Sequence, residues 1–350
     1  MNQENRDRPV GKRKPGMTAS HHSILDQHED EEEDIGPNRR LFLARPTWKV
    51  APAGISKTRN QDWNRPQSNI WKTLATFWSF FVMGANDSAS GSLVPYLQSY
   101  YGLSYIAVSV IFLSPLAGYV VAGVVDTKIY LTMGRRGVAI ISPFCHILAY
   151  AVNCFHPPYP VLVITLAFAG LANGLADSAW NSWTSNMDHA SQLLGFLHAA
   201  FGLGAVMSPL VVSSLTTQAG VQWYYFYYVM TGCAFIELIT SLPAFWDLTG
   251  PGAYYAQAGD LKKSINHTNS GLRETMFKIP SAARVSWISS IFLFIYAGLE
   301  LSLSGWIVTF MIDARKAGQF ASGLTATWFW LGLTIGRMIL GFVTPFYHGP

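Results

Sequence analysis

Residues 84–91 read GANDSASG, and they interrupt an apolar run that extends from residue 74 to residue 97. That run is long enough to cross a bilayer, which takes roughly 20 apolar residues. Asn86 and Asp87 therefore stand side by side near the middle of a membrane-length segment. A charged carboxylate at that depth is costly against lipid, so Asp87 must face protein or a water-filled space. Whether 74–97 is a lone anchor or one crossing among many decides the fold.

The distribution of charge answers this. Thirteen of the 24 Lys and Arg residues and ten of the 20 Asp and Glu residues lie at or before Lys72. Beyond them come charge-free stretches at 88–125, 137–176 and 189–236, each with room for about two crossings at roughly 20 residues apiece. A soluble helical protein would place charges on the exposed faces of those helices. The pattern is that of an all-α polytopic membrane protein embedded in the lipid bilayer. The net charge of +4 is too small and too localised to indicate a nucleic-acid partner. Cys145, Cys154 and Cys233 fall in apolar segments without metal-ligand spacing and read as packing residues. No metal and no cofactor is expected. No apolar stretch near the start suggests a cleaved signal peptide.

Turn-forming residues divide the chain into eight expected spans, at about 70–98, 104–125, 137–156, 159–184, 192–215, 222–246, 284–311 and 321–346. Residues 1–69, polar and containing DQHEDEEED, read as a disordered cytoplasmic tail. Residues 70–248 form an N-terminal six-helix bundle, 249–282 a Gly-, Asn- and Ser-rich inter-bundle loop, and 283–350 the first two spans of a second bundle. With the tail inside, the even-numbered loops hold Lys128, Arg135, Arg136, Lys262, Lys263, Arg273, Lys278 and Arg284, while the odd ones hold only Arg315 and Lys316. That bias places the N-terminus in the cytoplasm, and with it the sequon at Asn266. It does not distinguish a plasma membrane from a vacuolar or endosomal one.

An internal repeat supports two bundles. GANDSASGSLV laid over GLELSLSGWIV at a shift of 214 pairs Gly84 with Gly298, Ser88 with Ser302, Ser90 with Ser304, Gly91 with Gly305 and Val94 with Val308. AGYVVAGVV laid over IGRMILGFV at a shift of 218 pairs Gly118 with Gly336 and Gly123 with Gly341. Two neighbouring spans in nearly one register point to a parallel repeat of six-helix bundles. On that register Pro350 corresponds to about position 132, so four spans of the second bundle are missing and the chain is expected to be C-terminally truncated.

Six spans, a long loop and a second homologous set resemble the major facilitator superfamily. GANDSASGSLVPYL, LANGLADSAWN, FLHAAFGLGAVMSPL and GLTIGRMILG are similar to its fungal branch related to fucose permeases, including bypass-of-stop-codon-type proteins. The resemblance covers about 70–350. It implies that Gly123, Asp126, Gly134, Arg135 and Arg136 belong to the cytoplasmic gating motif G-x-x-x-D-R/K-x-G-R-R. Here the Gly-to-Asp spacing is one residue short and residues 127–133 form an insertion, so the charge-relay role rests on Arg135 and Arg136. Fucose permeases place one acid in the first helix and one in the fourth, which match Asp87 and Asp177.

The residues themselves supply further candidates. Asn173, Asp177, Trp180 and Asn181 share a helical face by spacing, beside a small-residue stripe at Gly170 and Gly174. Asp87, Asp177 and His198 are the expected proton-coupling groups, with structural inter-helix hydrogen bonds as the alternative for each. Asn86, Asn173, Trp180, Asn181, Glu300 and Trp306 are the expected substrate contacts, with helix packing as the alternative for Trp180. Glu300 and Arg337 sit at similar depth and are also candidates for a structural ion pair. Glu237 and His146 are secondary candidates. Together these features describe a proton-coupled secondary transporter of a small polar solute such as a sugar, working as a monomer by alternating access. The alternative is a non-transporting receptor or regulator, or a non-functional truncated product. No catalytic arrangement such as His-Glu-x-x-His occurs, and no G-x-x-x-x-G-K-S/T loop suggests ATP-driven transport, so an enzyme is not expected.

Overall fold

The computed structural model describes residues 62–246 and 280–347. The expected tail up to residue 61, the inter-bundle loop over 249–279, Asn266 and Pro350 lie outside the described residues.

The first helix, α1, runs Gln67–Tyr101. It stops where Gly102 takes a left-handed conformation, φ 65°, and its N–H reaches back to the Gln98 carbonyl, a conformation glycine adopts at no steric cost. The next helix, α2, covers Tyr105–Cys154, 50 residues. At about 1.5 Å per residue it would stretch about 75 Å, over twice a hydrocarbon core of roughly 30 Å. It is broken at Gly134, where φ is 64° and ψ −159°, so α2 is two rods. The expected connector over 126–136 is thus mostly helix. Residues 127–133 contain neither Gly nor Pro, and the reversal is concentrated in the one residue that tolerates it.

Next come α3 over Tyr159–Ser185, α4 over Ala190–Ser213 with a π-helical end at Ser214–Gln218, and α5 over Tyr225–Ala244. After the linker follow α6, Pro280–Asp313, and α7, Gln319–Tyr347. With α2 counted twice, the described residues form eight helical rods, six before the linker and two after. Five of the seven helices are long and apolar enough to cross a membrane by composition alone.

Close helix approach explains the small residues. A Cβ added at Gly84 would fall 1.9 Å from the Phe201 carbonyl oxygen, and one at Gly204 would fall 2.0 Å from that of Phe81. The backbones of α1 and α4 therefore touch. Gly118 and Gly170 play the same part between α2 and α3, and Gly174 abuts Ala122. Lipid gives helices no hydrophobic reason to associate, so backbone contact and van der Waals packing must hold them together. Large apolar side chains such as Ile106, Leu113, Leu116 and Val124 project outward, as a lipid-facing surface requires.

The last two helices pack on the first six through the repeat itself. A Cβ at Gly91 would meet the Ser304 carbonyl at 2.1 Å and the Gly305 Cα at 3.0 Å. Gly91 and Gly305 are repeat partners, and they touch across the junction. Gly202 of α4 gives room to the side chain of Thr334 of α7.

Candidate functional site

Among the described residues, two cavities of comparable size stand out. The larger, about 880 Å³, lies among α1, α4 and α5 and is walled by Trp71, Phe77, Trp78, Phe81 and Leu203, with no acid in its lining. The other, about 760 Å³, lies between the first six rods and α6–α7, and gathers Asp87, Tyr119, Asp177, His198, Glu300 and Arg337. Convergent polar groups on apolar walls mark a solute site, so chemistry selects the smaller cavity.

Each polar group arrives from a different helix. Asp87 sits half-buried on α1, in the segment pinned to α4 at Gly84. Its Oδ1 accepts from Asn173 Nδ2 at 2.7 Å and from Asn86 Nδ2 at 3.1 Å, and Tyr119 donates to Oδ2 at 3.4 Å. Asp177 on α3 accepts at 2.8 Å from Asn181 one turn later. His198 on α4 meets Phe80 edge-on, with ring centroids 5.6 Å apart. Arg337 on α7 donates to both oxygens of Glu300 on α6, each at 2.7 Å. Tyr296, Phe80, Phe201 and Trp330 supply aromatic wall.

Behind Asp87 runs a polar chain through the buried centre of the first bundle. Asn173 Oδ1 faces His146 Nε2 at 2.9 Å, and His146 Nδ1 faces Glu237 Oε2 at 2.8 Å. Ser79 donates to Glu237 Oε1 at 2.6 Å, and the Trp180 indole donates to Ser79 at 3.2 Å. His146 and Asn173 are fully buried, and Glu237 is 1% exposed.

Of the residues singled out in the sequence, Asp87, Asp177, His198, Glu300 and Arg337 come together at the cavity. The other candidates stand behind or away from it. Asn86, Asn173 and Asn181 hold the two aspartates from the side. Trp180, 1% exposed, stacks on Phe245 at 4.4 Å between ring centroids, which leaves it no ring face for a solute. Trp306 packs between Tyr105 and Phe112, away from the cavity. Tyr119, Tyr296 and Trp330 were not anticipated, although an aromatic with a polar handle inside a span carries the same signal as the acids. Nor was the contact of His146 with Glu237, 91 positions apart, which no local spacing encodes.

The residues expected to form the gating motif lie along α2 up to and just past its break at Gly134. Asp126 accepts from Ser178 of α3 at 2.7 Å. The Arg135 guanidinium lies 5.9 Å from the Tyr130 ring centroid, and that of Arg136 lies 3.3 Å from the Trp246 ring just beyond α5. A Cβ at Gly123 would meet nothing within 4 Å.

The model of the Major Facilitator Superfamily matches residues 76–347 of the chain. The chain belongs to the Major Facilitator Superfamily. Its membership and its long apolar helices make it an integral membrane protein. It is 26% identical over 329 residues to Bypass of stop codon protein 6 of Saccharomyces cerevisiae (strain ATCC 204508 / S288c), covering 90% of this chain and 64% of that protein. It is 20% identical over 266 residues to the glucose/mannose transporter GlcP of Bacillus subtilis (strain 168), covering 76% of this chain and 64% of that one. The chain thus spans under two thirds of the length of both relatives. Among solved structures it is similar to a D-xylose-proton symporter, with TM-score 0.58 and 15% identity over 75% of this chain and 66% of the other. It is also similar to the peptide transporter POT in complex with sulfate, with TM-score 0.52 and 13% identity over 79% and 67%. At these identities the likeness concerns the superfamily fold.

Proposed function

We propose that the full protein is a proton-coupled secondary transporter of a small polar solute, with a sugar as the first class to test. The observation that carries this is the cavity at the junction of the two helix sets, where Asp87, Asp177 and Glu300 converge from α1, α3 and α6. Asp87 takes and releases the coupling proton, because it is the cavity acid joined through Asn173 to the buried His146–Glu237 pair. Asp177 is a second proton-coupling acid, and His198, which lines the cavity from α4, relays between solute and acids. Glu300 and Arg337 fix α6 to α7 and offer the solute one carboxylate edge and one guanidinium edge.

Alternating access follows from the junction. The bundles meet closely at Gly91 and Gly305, while the cavity reaches Ser191 in the first turn of α4. With the N-terminus cytoplasmic, the protein here is closed on the outer side. Rocking about the Gly91–Gly305 contact then exposes the same acids to the other face. Arg135 and Arg136 at the break in α2 hold the inner side when it closes. The B. subtilis relative is named a glucose/mannose transporter, which makes D-glucose the first probe.

The test uses full-length protein in liposomes under an inward proton gradient. Wild type is expected to accumulate labelled hexose, and Asp87→Asn to lose accumulation while keeping counterflow exchange. Undiminished gradient-driven uptake by Asp87→Asn sinks the proton role.

A further inference from the structure

The buried pair behind Asp87 has a chemical constraint built into its geometry. Asn173 Oδ1 is an acceptor and faces His146 Nε2, so Nε2 must carry a proton in this arrangement. His146 Nδ1 faces a Glu237 oxygen. Two forms satisfy both contacts: imidazolium beside carboxylate, or neutral imidazole with its Nδ1 accepting from protonated Glu237. In both forms the pair holds one proton more than neutral imidazole beside carboxylate.

The opposite arrangement is equally well bonded. If the Asn173 amide turns end for end, its nitrogen donates to a bare His146 Nε2, Nδ1–H donates to ionised Glu237, and its oxygen faces Asp87. That oxygen needs a donor, and protonated Asp87 supplies one. The two arrangements contain the same number of protons. In passing from one to the other, the N–H bond at His146 Nε2 is lost and an O–H bond at Asp87 Oδ1 is gained.

The geometry points to a second proton site in the buried centre of the first bundle: His146 and Glu237 store the proton that Asp87 carries, and the Asn173 amide sets which end holds it. Asp87 faces the cavity, whereas the pair is sealed from it. The titratable groups around His146 are Asp87 on α1, Glu237 on α5 and Tyr150 on its own helix, whose ring stacks on it at 5.4 Å and has Tyr227 and Cys233 of α5 near it. From α3 it meets neutral Asn173, with Asp177 and Tyr119 acting on Asp87 instead. Besides His146, no cation is among those groups. Ser79 and the Trp180 indole add donors on the far side of Glu237, so the carboxylate is held in place whichever end carries the proton.

This inference rests on Asp87 as the titrating acid, and its test needs no solute. Groups that share protons titrate in common macroscopic steps. Full-length protein labelled with ¹⁵N-histidine is titrated between about pH 5 and 9. His146 is assigned by its loss in His146→Gln, and the Asp87 carboxyl infrared band by its loss in Asp87→Asn. In wild type both signals are expected to change over the same two steps. In Asp87→Asn the His146 signal, and in His146→Gln the Asp87 band, should collapse to a single step. Asp87→Asn is nearly isosteric and cavity-facing, so that arm survives if His146→Gln does not fold. Independent single steps in wild type, or a His146 titration identical in wild type and Asp87→Asn, overturn the store. Shared steps in a protein whose hexose uptake ignores the proton gradient would leave the store standing and remove the transport coupling. Proton-driven uptake with independent steps would do the reverse.

Discussion

Asn173 Nδ2 lies 2.7 Å from Asp87 Oδ1, so a fully buried amide on α3 grips the carboxylate that α1 presents to the cavity. The same amide touches His146 with its other end. Asp87 is therefore the cavity-facing terminus of a chain that runs through His146 and Glu237 to Ser79, and its behaviour belongs to the whole chain.

The α1–α4 crossing depends on bare backbone at Gly84. Gly84→Ala sets a Cβ 1.9 Å from the Phe201 carbonyl oxygen, a contact with backbone that cannot swing aside. Overpacking of this kind costs about 1–3 kcal/mol. Recovery of monodisperse protein after stepwise heating should fall for Gly84→Ala. It should hold for Gly232→Ala, where an added Cβ meets nothing within 4 Å.

In the Glu300–Arg337 pair a single guanidinium nitrogen, Nη2, serves both carboxylate oxygens, and the side chains are 13% and 30% exposed. That is too buried to be negligible and too wet to match a fully buried pair. Double-mutant coupling of about 1–3 kcal/mol is expected. Glu300→Gln and Arg337→Gln should each lower thermal stability, and the double variant should lose clearly less than their sum. Strict additivity in thermal melts would show that the pair contributes no coupling.

Arg136 over Trp246 joins the break in α2 to the end of α5 at 3.3 Å. A cation over an indole face is worth about 0.5–2 kcal/mol. Arg136→Gln and Trp246→Leu should therefore shift the equilibrium between inner-open and outer-open forms by about 2–30-fold. Trp246→Phe, which keeps a ring face, should shift it less. Two-probe distance measurements across the inner rim can check the order of the three variants.

Tyr105 donates to Asp313 at 2.7 Å, linking the start of α2 to the end of α6 on the side where Gly91 meets Gly305. Tyr105→Phe removes one hydrogen bond of about 0.5–1.5 kcal/mol. The outer side should open about 2–10-fold more often. A cysteine introduced at Leu301 in the cavity wall should then react faster with an impermeant maleimide added outside. An unchanged rate would mean that the contact does not latch the outer side.

Much of this was legible along the chain because it depends on local composition. Charge-free stretches of membrane length announce crossings, since lipid admits no unpaired charge. Asp87, Asp177 and Glu300 stand out because ionisable groups in such stretches are rare. Gly170 and Gly174 were readable as a packing stripe, and each does meet α2. The same logic under-weighted His146 and Glu237 and over-weighted Trp180. Helical spacing places Trp180 on the Asp177 face, but Ser79 and Phe245, which occupy the indole, come from α1 and from beyond α5.

By itself, then, the sequence determined that the chain is a set of membrane helices, with acids placed inside their apolar stretches. Those properties follow from hydrophobic transfer and backbone hydrogen bonding, which act over a few residues at a time. Only the tertiary structure decided which embedded polar groups face the cavity and which face each other. It set Asp87 toward the cavity, buried Asn173 behind it and closed His146 onto Glu237. Partners 27 to 158 positions apart make those contacts, and their choice is made by how the helices rotate and cross when small residues let backbones touch.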